Sequence, residues 1–163
     1  MAKSIPTDDQ LIAELIQSFG GLWYVEHPMI DCFVEVISKE VTEDKIIANI
    51  EQTILNLDEV EELFTEQDLT GSIWSFVLEM RWNTKAEQWK WHYHSDPDDR
   101  TTKLSEIEDK DRALKAVFDQ IDWYDHLSFH ELKSAELMAK LPEKYRKFYE
   151  PHHKQFVADG EFV

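Results

Sequence analysis

Glycine is scarce in this sequence, and the shortage argues against several kinds of ligand site. Only 4 of the 163 residues are glycine, which is about a third of the usual share. Nucleotide sites of the Rossmann and P-loop kinds need glycines where the backbone approaches phosphate. No G-x-G-x-x-G, G-K-[ST], G-x-S-x-G or H-E-x-x-H pattern occurs. The sequence therefore gives no support to the enzyme classes that those patterns mark.

Cysteine is almost absent. Cys32 is the single cysteine, so no disulfide can form within the chain. It stands before Phe33 and Val34 in an apolar stretch. This setting favours a buried structural thiol over a catalytic one.

Basic residues are too few for a protein that binds phosphate groups through a positive surface. Lysine and arginine number 17 against 34 acids, and the net charge is −17. Binding to nucleic acid or to an anionic membrane depends on an excess of lysine and arginine. We therefore predict neither. The acids would suit a cationic partner or a metal ion, or they serve only to keep the chain soluble.

Long apolar runs are also missing. No stretch approaches the 18 apolar residues of a membrane-spanning helix. The first residues contain no apolar run before Asp8 and Asp9, so they do not read as a signal peptide. With the single cysteine, these features lead us to expect a cytoplasmic protein.

What the sequence does contain is enough apolar and aromatic residues for a core. It has 9 phenylalanines, 5 tyrosines and 6 tryptophans. The length suits one domain. We predict a single α+β domain over 1–163, in which a small, mainly antiparallel sheet packs on helices and a loosely held tail begins near 151.

Helical and strand patterns alternate along the chain. A T-x-x-Q capping box at Thr7 opens a predicted helix over 7–19. Residues 30–38 favour a strand, with Cys32 on the same face as Val34. Apolar residues at spacings of three and four favour a helix over 42–68, although the β-branched residues of 46–54 would also suit a strand.

The second half of the chain has the clearest strand signal. Tryptophans and other apolar residues alternate with polar ones over 72–94, which predicts a hairpin in which Trp82 faces Trp89 and Leu78 faces Tyr93. Residues 95–104 are predicted as a polar loop. Two further capping boxes, at Ser105 and Ser128, predict helices before Pro142.

Two histidines of the hairpin could bind a metal ion. On a regular strand, His92 and His94 would point to the same side, and Asp96 or Glu79 could add a carboxylate. The alternative is a pair of solvated histidines, one of them paired with Glu79. His126 and His130 form a weaker candidate pair, because the predicted cap places only one of them on a helix.

The segment from Glu40 to Asp68 is the preferred functional feature. It holds ten acids and one base, Lys45. We expect it to attract a basic partner by long-range electrostatics, although the acids could equally be a solvated face. The predicted partner-binding residues, with two hairpin tryptophans as apolar anchors, are Glu51, Asp58, Glu59, Glu61, Glu62, Glu66, Trp82 and Trp89. The tryptophans could instead belong to the core.

The leading hypothesis is a non-enzymatic protein that masks a basic protein partner. Immunity proteins and antitoxins that neutralise nucleases illustrate this class by analogy of charge and size. No cofactor is required. One alternative is a metal-dependent enzyme that uses His92, His94 and Asp96. Another is a homodimeric structural or regulatory domain that assembles through the hairpin.

Overall fold

The computed structural model describes residues 4–18, 29–58, 60–121 and 134–160. Within them an antiparallel sheet packs on helices, which confirms the α+β class. The helices are α1 (Asp8–Ser18), α2 (Lys110–Gln120), α3 (Ser134–Lys140) and α4 (Glu143–Ala158). The strands are β1 (Met29–Val41), β2 (Lys45–Asn56), β3 (Thr70–Asn83), β4 (Gln88–His94) and β5 (Asp98–Lys103). Short 3-10 turns span Val60–Phe64 and Leu104–Glu106.

Strand β3 lies at the centre of the sheet. One edge of β3 pairs with β2, whose other edge pairs with β1. The second edge of β3 is shared, because β5 pairs with its first half and β4 with its second half. Ser95 joins the two ladders: its N–H donates to the Val77 carbonyl (2.9 Å), and the Val77 N–H donates to its hydroxyl (2.8 Å).

Helices cover one face of the sheet at one end and the opposite face at the other end. We call the side that carries Ile46, Ile50 and Leu78 the α1 face, because these residues pack with Leu11 and Leu15 of α1. The opposite side carries Leu55, which packs with residues of α2, α3 and α4, and we call it the C-terminal-helix face. Neighbouring residues of a strand point to opposite faces, so one long strand contributes to both cores.

Strand β2 replaces the helix that the spacing of 42–68 favoured. Residues Ile46, Ala48, Ile50, Gln52 and Ile54 alternate along β2 and are all fully buried. Two of these five positions are alanine and glutamine, so the alternation of apolar and polar residues is not evident in the sequence. The intervening residues at 53 and 55 are also buried, which obscures the alternation further. The spacing of four between Ile46, Ile50 and Ile54 suggests a helix, but it also fits side chains that point to the same face of a strand. Their β-branched side chains suit a strand.

The region around β5 also differs from the sequence-based prediction. Residues 98–103 form a strand rather than part of a polar loop. The helix that follows begins later than the Ser105 box indicates. Its cap is Asp109, whose carboxylate accepts the Arg112 N–H at 3.2 Å. Ser105 is instead bound to Asp68. The sequence of β5 lacks the apolar alternation that marks a strand, because most of β5 is exposed.

The chain after Pro151, predicted to be a loose tail, continues α4 to Ala158. This part of α4 makes specific contacts. The buried Ser134 hydroxyl lies 2.7 Å from the Tyr149 hydroxyl and 2.7 Å from Nδ1 of His153. His152 contacts Asp119 at 3.2 Å. The Ser128 box lies outside the described residues, but α3 does end just before Pro142 as predicted.

The first helix and the hairpin agree with the sequence patterns. Thr7 and Gln10 form the reciprocal capping box, with N–H to side-chain distances of 2.8 and 3.2 Å. Trp82 pairs with Trp89. Within the described residues, no helix is long and apolar enough to cross a membrane.

Gly71 marks a close approach between β2 and β3. A Cβ atom at this position would lie 2.1 Å from the Ile54 carbonyl oxygen and 3.0 Å from a Leu55 methyl group. Since a backbone atom is the obstacle, the two central strands would have to move apart. We expect Gly71→Ala to lower the free energy of unfolding by about 1–3 kcal/mol, as measured by urea denaturation.

The control for this prediction is Thr101→Ala, a change at an exposed position of the neighbouring strand β5. It should change the free energy of unfolding by less than about 0.5 kcal/mol. Equal stabilities for Gly71→Ala and the parent protein would contradict the close approach of the two strands.

Candidate functional site

The strongest candidate site lies at the turn end of the hairpin, where two tryptophans meet. Trp82 and Trp89 face each other across β3 and β4, and their rings pack edge to face with centroids 5.4 Å apart. Both side chains are half-buried. Aromatic pairs in this arrangement are stable and rigid. They therefore present fixed apolar surface to whatever lies beside them.

A groove of about 880 Å³ runs between these tryptophans and the N-terminal part of the chain. Its floor includes Met80 and Leu11, which belong to the core on the α1 face. Grooves of this size are typical of ligand sites that bury an apolar group. The described residues that line it are Ser4, Ile5, Pro6, Gln10, Leu11, Ala13, Glu14, Met80, Trp82, Thr84, Glu87, Gln88 and Trp89.

The charged groups of the groove are acidic. Among its described lining residues, Glu14 and Glu87 carry a negative charge and none carries a positive one. Glu14 lies on α1 and Glu87 in the turn between β3 and β4, so the two carboxylates come from different elements of the fold. Carboxylates beside aromatic faces are the groups that attract a cationic side chain.

Glu87 has an unusual backbone. Its φ angle is 52°, the one positive value at a non-glycine position among the described residues. The left-handed region is unfavourable for a residue with a Cβ atom. Glycine or asparagine would suit this turn better. A strained glutamate at the rim of a groove is consistent with a role for its side chain.

The segment before α1 forms one wall of the groove. The indole N–H of Trp89 donates to the Ser4 carbonyl at 3.1 Å, although 85 residues separate the two. Ile5 and Pro6 line the groove beside it. The capping box at Thr7 fixes the beginning of α1, and it therefore fixes the point at which this segment joins the helix.

The predicted acidic residues lie elsewhere. Glu51 is in the middle of β2, where its carboxylate binds Arg100 at 3.2 Å and accepts a hydrogen bond from Ser75. Asp58, Glu61, Glu62 and Glu66 belong to the connection between β2 and β3, and Glu59 lies outside the described residues. The acids therefore do not share one helical face as the sequence suggested.

This connection is far from the tryptophans. It joins β3 at Thr70, whereas Trp82 is near the other end of the same strand. At about 3.3 Å per residue, β3 separates the two by roughly 40 Å. The described acids of this connection and the predicted tryptophan anchors therefore do not form a single contact surface.

Two acids of the connection have structural contacts. Glu62 accepts a hydrogen bond from the backbone N–H of Asp58 at 2.9 Å. Asp68 accepts hydrogen bonds from the Ser105 hydroxyl and, at 3.0 Å, from the Ser105 backbone N–H. The Ser105 hydroxyl, the Ser105 N–H and nearby lysines together hold the pKa of Asp68 below its usual value.

The hairpin histidines are separated by a β-bulge. Trp91 pairs with Met80 and Tyr93 with Glu79, so His92 is the extra residue between them. The bulge also moves His94, rather than Tyr93, opposite Leu78. His92 lies beside Glu79, with Nε2 and Oε2 3.8 Å apart, and His94 packs against Trp91 instead.

The bulge removes the reason to expect both imidazoles on one side, because the alternation of side chains is interrupted there. His92, His94 and Asp96 are all described, and the structure does not bring them together as a group of three metal ligands. Glu79 accepts a hydrogen bond from Arg81 at 2.7 Å, which lowers the pKa of Glu79. The 3.8 Å separation of His92 and Glu79 agrees with the alternative of a His92–Glu79 pair.

Other candidate residues have structural settings. Burial raises the pKa of the Cys32 thiol to about 12, so the thiol is protonated at neutral pH and is a poor nucleophile. Cys32 packs with the C-terminal helices, whereas Val34 lies on the α1 face. A register shift between residues 31 and 33 separates them. His126 and His130 lie outside the described residues.

Sequence reasoning found the two tryptophans but missed Glu14, Glu87 and the segment 4–6. Glu14 lies on α1, where the spacing of apolar residues predicts the buried face and gives no information about the polar residues. Glu87 looked like an ordinary turn residue, because its φ angle cannot be read from the sequence. The one available signal was Pro6 next to the capping box.

Asp68 provides a pH-dependent test of the connection between β2 and β3. We expect Asp68→Ala to lower the unfolding temperature at neutral pH by roughly 2–4 °C, since losing hydrogen bonds to an exposed carboxylate costs about 1 kcal/mol. Folding lowers the pKa of Asp68. The stabilisation is therefore present above the unfolded pKa of about 4 and is lost as the pH falls through the lower folded value.

Thermal melts of the parent and Asp68→Ala proteins should thus converge under acid conditions. Glu66→Ala is the matched control, because it removes the same charge at an exposed site two residues away. Equal losses of stability in the two variants would contradict a specific contribution from the hydrogen bonds of Ser105.

No protein-family model, curated protein or solved structure matches this chain.

Proposed function

We propose that this protein is a non-enzymatic binding module that masks a basic segment of a partner protein. The observation that carries the proposal is the groove beside Trp82 and Trp89, whose charged lining residues are Glu14 and Glu87. Indole rings are strong anchors at protein interfaces. Carboxylates at the rim favour lysine and arginine over acidic side chains.

The overall charge supports the same proposal over longer distances. A net charge of −17 creates a negative potential that raises the rate of encounter with a basic partner. The acids between β2 and β3 contribute to this potential, although they lie far from the groove. We therefore assign them to attraction during approach and assign Glu14 and Glu87 to the bound complex.

The tryptophans provide the first test. The probe is a fluorescently labelled peptide in which arginines alternate with leucines, and binding is followed by anisotropy. We expect Trp89→Ala to weaken binding by roughly tenfold or more, because a central indole anchor is lost. Trp91→Ala is the matched control. Trp91 lies on the same strand, is 45% exposed and does not line the groove. Equal losses in the two variants would contradict binding in the groove.

Glu87→Lys and Glu66→Lys separate local contact from long-range attraction. Both substitutions change the net charge by the same amount, but only Glu87 lines the groove. Glu87→Lys should therefore increase the dissociation rate of the peptide, whereas Glu66→Lys should mainly reduce its association rate. Stopped-flow measurements at two salt concentrations distinguish these effects, and identical rate changes would refute the assignment.

Glu87→Gly tests whether the strained glutamate is kept for binding. Glycine removes the steric penalty at φ 52°, so the variant should be more stable than the parent protein by up to about 1 kcal/mol. It should also bind the basic peptide more weakly, because it lacks the carboxylate. Urea denaturation and anisotropy measure the two effects. A variant that is more stable and binds equally well would remove Glu87 from the site.

A further inference from the structure

The two tryptophans of the groove meet nearly at a right angle. The ring planes of Trp82 and Trp89 are inclined by 71°, and their centroids lie 5.4 Å apart. Rings in this edge-to-face contact form a corner that has an indole face on each side. Both rings line the open volume of the groove. A rounded group in the corner would touch two indole faces at once, whereas a flat group could stack on only one of them.

The wall of the groove holds Trp89 in place. Its indole N–H donates to the Ser4 carbonyl at 3.1 Å, and Ser4 is part of the same wall. This hydrogen bond satisfies the one polar group of the indole side chain. The ring therefore contributes apolar surface in a fixed orientation, and a ligand that packs on it loses little free energy to side-chain ordering.

Glu14 supplies a carboxylate to the same groove. Its side chain is half-buried there, and among the described residues its carboxylate has no hydrogen-bond or ion-pair partner. Glu87 adds a second negative charge from the hairpin turn, and no described lining residue is positive. A cation in the groove would therefore be attracted both by these carboxylates and by the faces of the rings.

The shape of the corner distinguishes between kinds of cation. The guanidinium group of arginine is planar, and the ammonium group of lysine is compact and strongly hydrated. Methylation keeps the charge of lysine and replaces its N–H groups with methyl groups that suit apolar walls. Aromatic cages are the usual sites for such quaternary ammonium groups. A choline headgroup carries the same cation, but the carboxylates of the groove would repel its phosphate.

We propose that the groove binds a trimethylated lysine in the basic segment of the partner protein, with the ammonium group in the corner between Trp82 and Trp89. This inference rests on the proposed function and specifies the chemical group recognised at that site. Glu14 and Glu87 attract the charge of this group without needing a hydrogen bond from it. The volume of about 880 Å³ leaves room for the lysine stem and the neighbouring peptide backbone.

Three peptides that differ at one side chain test the ligand. In acetyl-Ala-Arg-Leu-Lys-Leu-Arg-amide, the lysine is unmodified, trimethylated, or replaced by a neutral analogue with carbon in place of the quaternary nitrogen. We expect the trimethylated peptide to bind about fivefold or more tightly than each of the others, as measured by calorimetry. A trimethylated peptide that binds no more tightly than either of the others would overturn this inference.

The outcomes also separate this inference from the proposed function. Binding of the unmodified peptide or of the arginine–leucine peptide used above, without a preference for trimethyl-lysine, would leave the proposed function intact. Failure of all four peptides to bind would overturn both. Binding to phosphatidylcholine vesicles but not to the trimethylated peptide would replace the protein partner with a lipid headgroup.

Trp82→Leu tests the corner itself, because it keeps an apolar side chain but removes one of the two ring faces. The preference for trimethylated over unmodified lysine should fall several-fold. Trp91→Leu is the matched control on β4, outside the groove and 45% exposed, and it should keep the preference. An unchanged preference in a folded Trp82→Leu variant would show that the ammonium group does not lie between the rings.

Glu14→Gln tests the charge without removing an aromatic ring. We expect it to weaken binding of the trimethylated peptide several-fold and to leave binding of the neutral analogue nearly unchanged. Glu66→Gln removes the same charge outside the groove. Equal effects of the two variants on the trimethylated peptide would contradict a local contribution from Glu14.

Discussion

The backbone pairing of β3 is the constraint on which the other elements depend. This 14-residue strand pairs with β2 on one edge and with both β4 and β5 on the other. Its length carries the chain from the acidic connection at one end of the sheet to the tryptophan pair at the other. Gly71 permits a close approach to β2, and Ser95 links β3 at the point between β4 and β5. The positions of both candidate surfaces follow from this one strand.

Because helices cover opposite faces at the two ends of the sheet, the groove lies between one helix and the hairpin. Helix α1 occupies the α1 face only near the hairpin, and its N-terminus brings residues 4–6 beside Trp89. The C-terminal helices pack on the other face and leave the groove to α1 and the hairpin. The groove is therefore a product of two elements that are distant in sequence. In the proposed function, the acids between β2 and β3 would attract a basic partner from a distance, and the few residues of the groove would hold it.

Patterns that depend on neighbouring residues were readable from the sequence. The Thr7 capping box, the alternation through Trp82 and Trp89, and the end of α3 before Pro142 all rest on local backbone geometry. The helix predicted over 42–68 was wrong because burial on both faces of β2 obscured its period of two. Strand β5 was missed because its pairing with β3, rather than an apolar alternation of its own, stabilises it.

The sequence by itself determined the α+β class, the negative charge, the lack of a disulfide and the pairing of two tryptophans across a hairpin. Composition and short-range periodicity carry this information. Only the tertiary structure decided that His92 and His94 are separated by a bulge, that the acids between β2 and β3 are remote from the tryptophans, and that Glu14, Glu87 and Pro6 surround the same groove. These facts depend on strand register and on contacts between residues as far apart as Ser4 and Trp89. Register and long-range contacts are set by the packing of the whole chain, and no local pattern of residues encodes them.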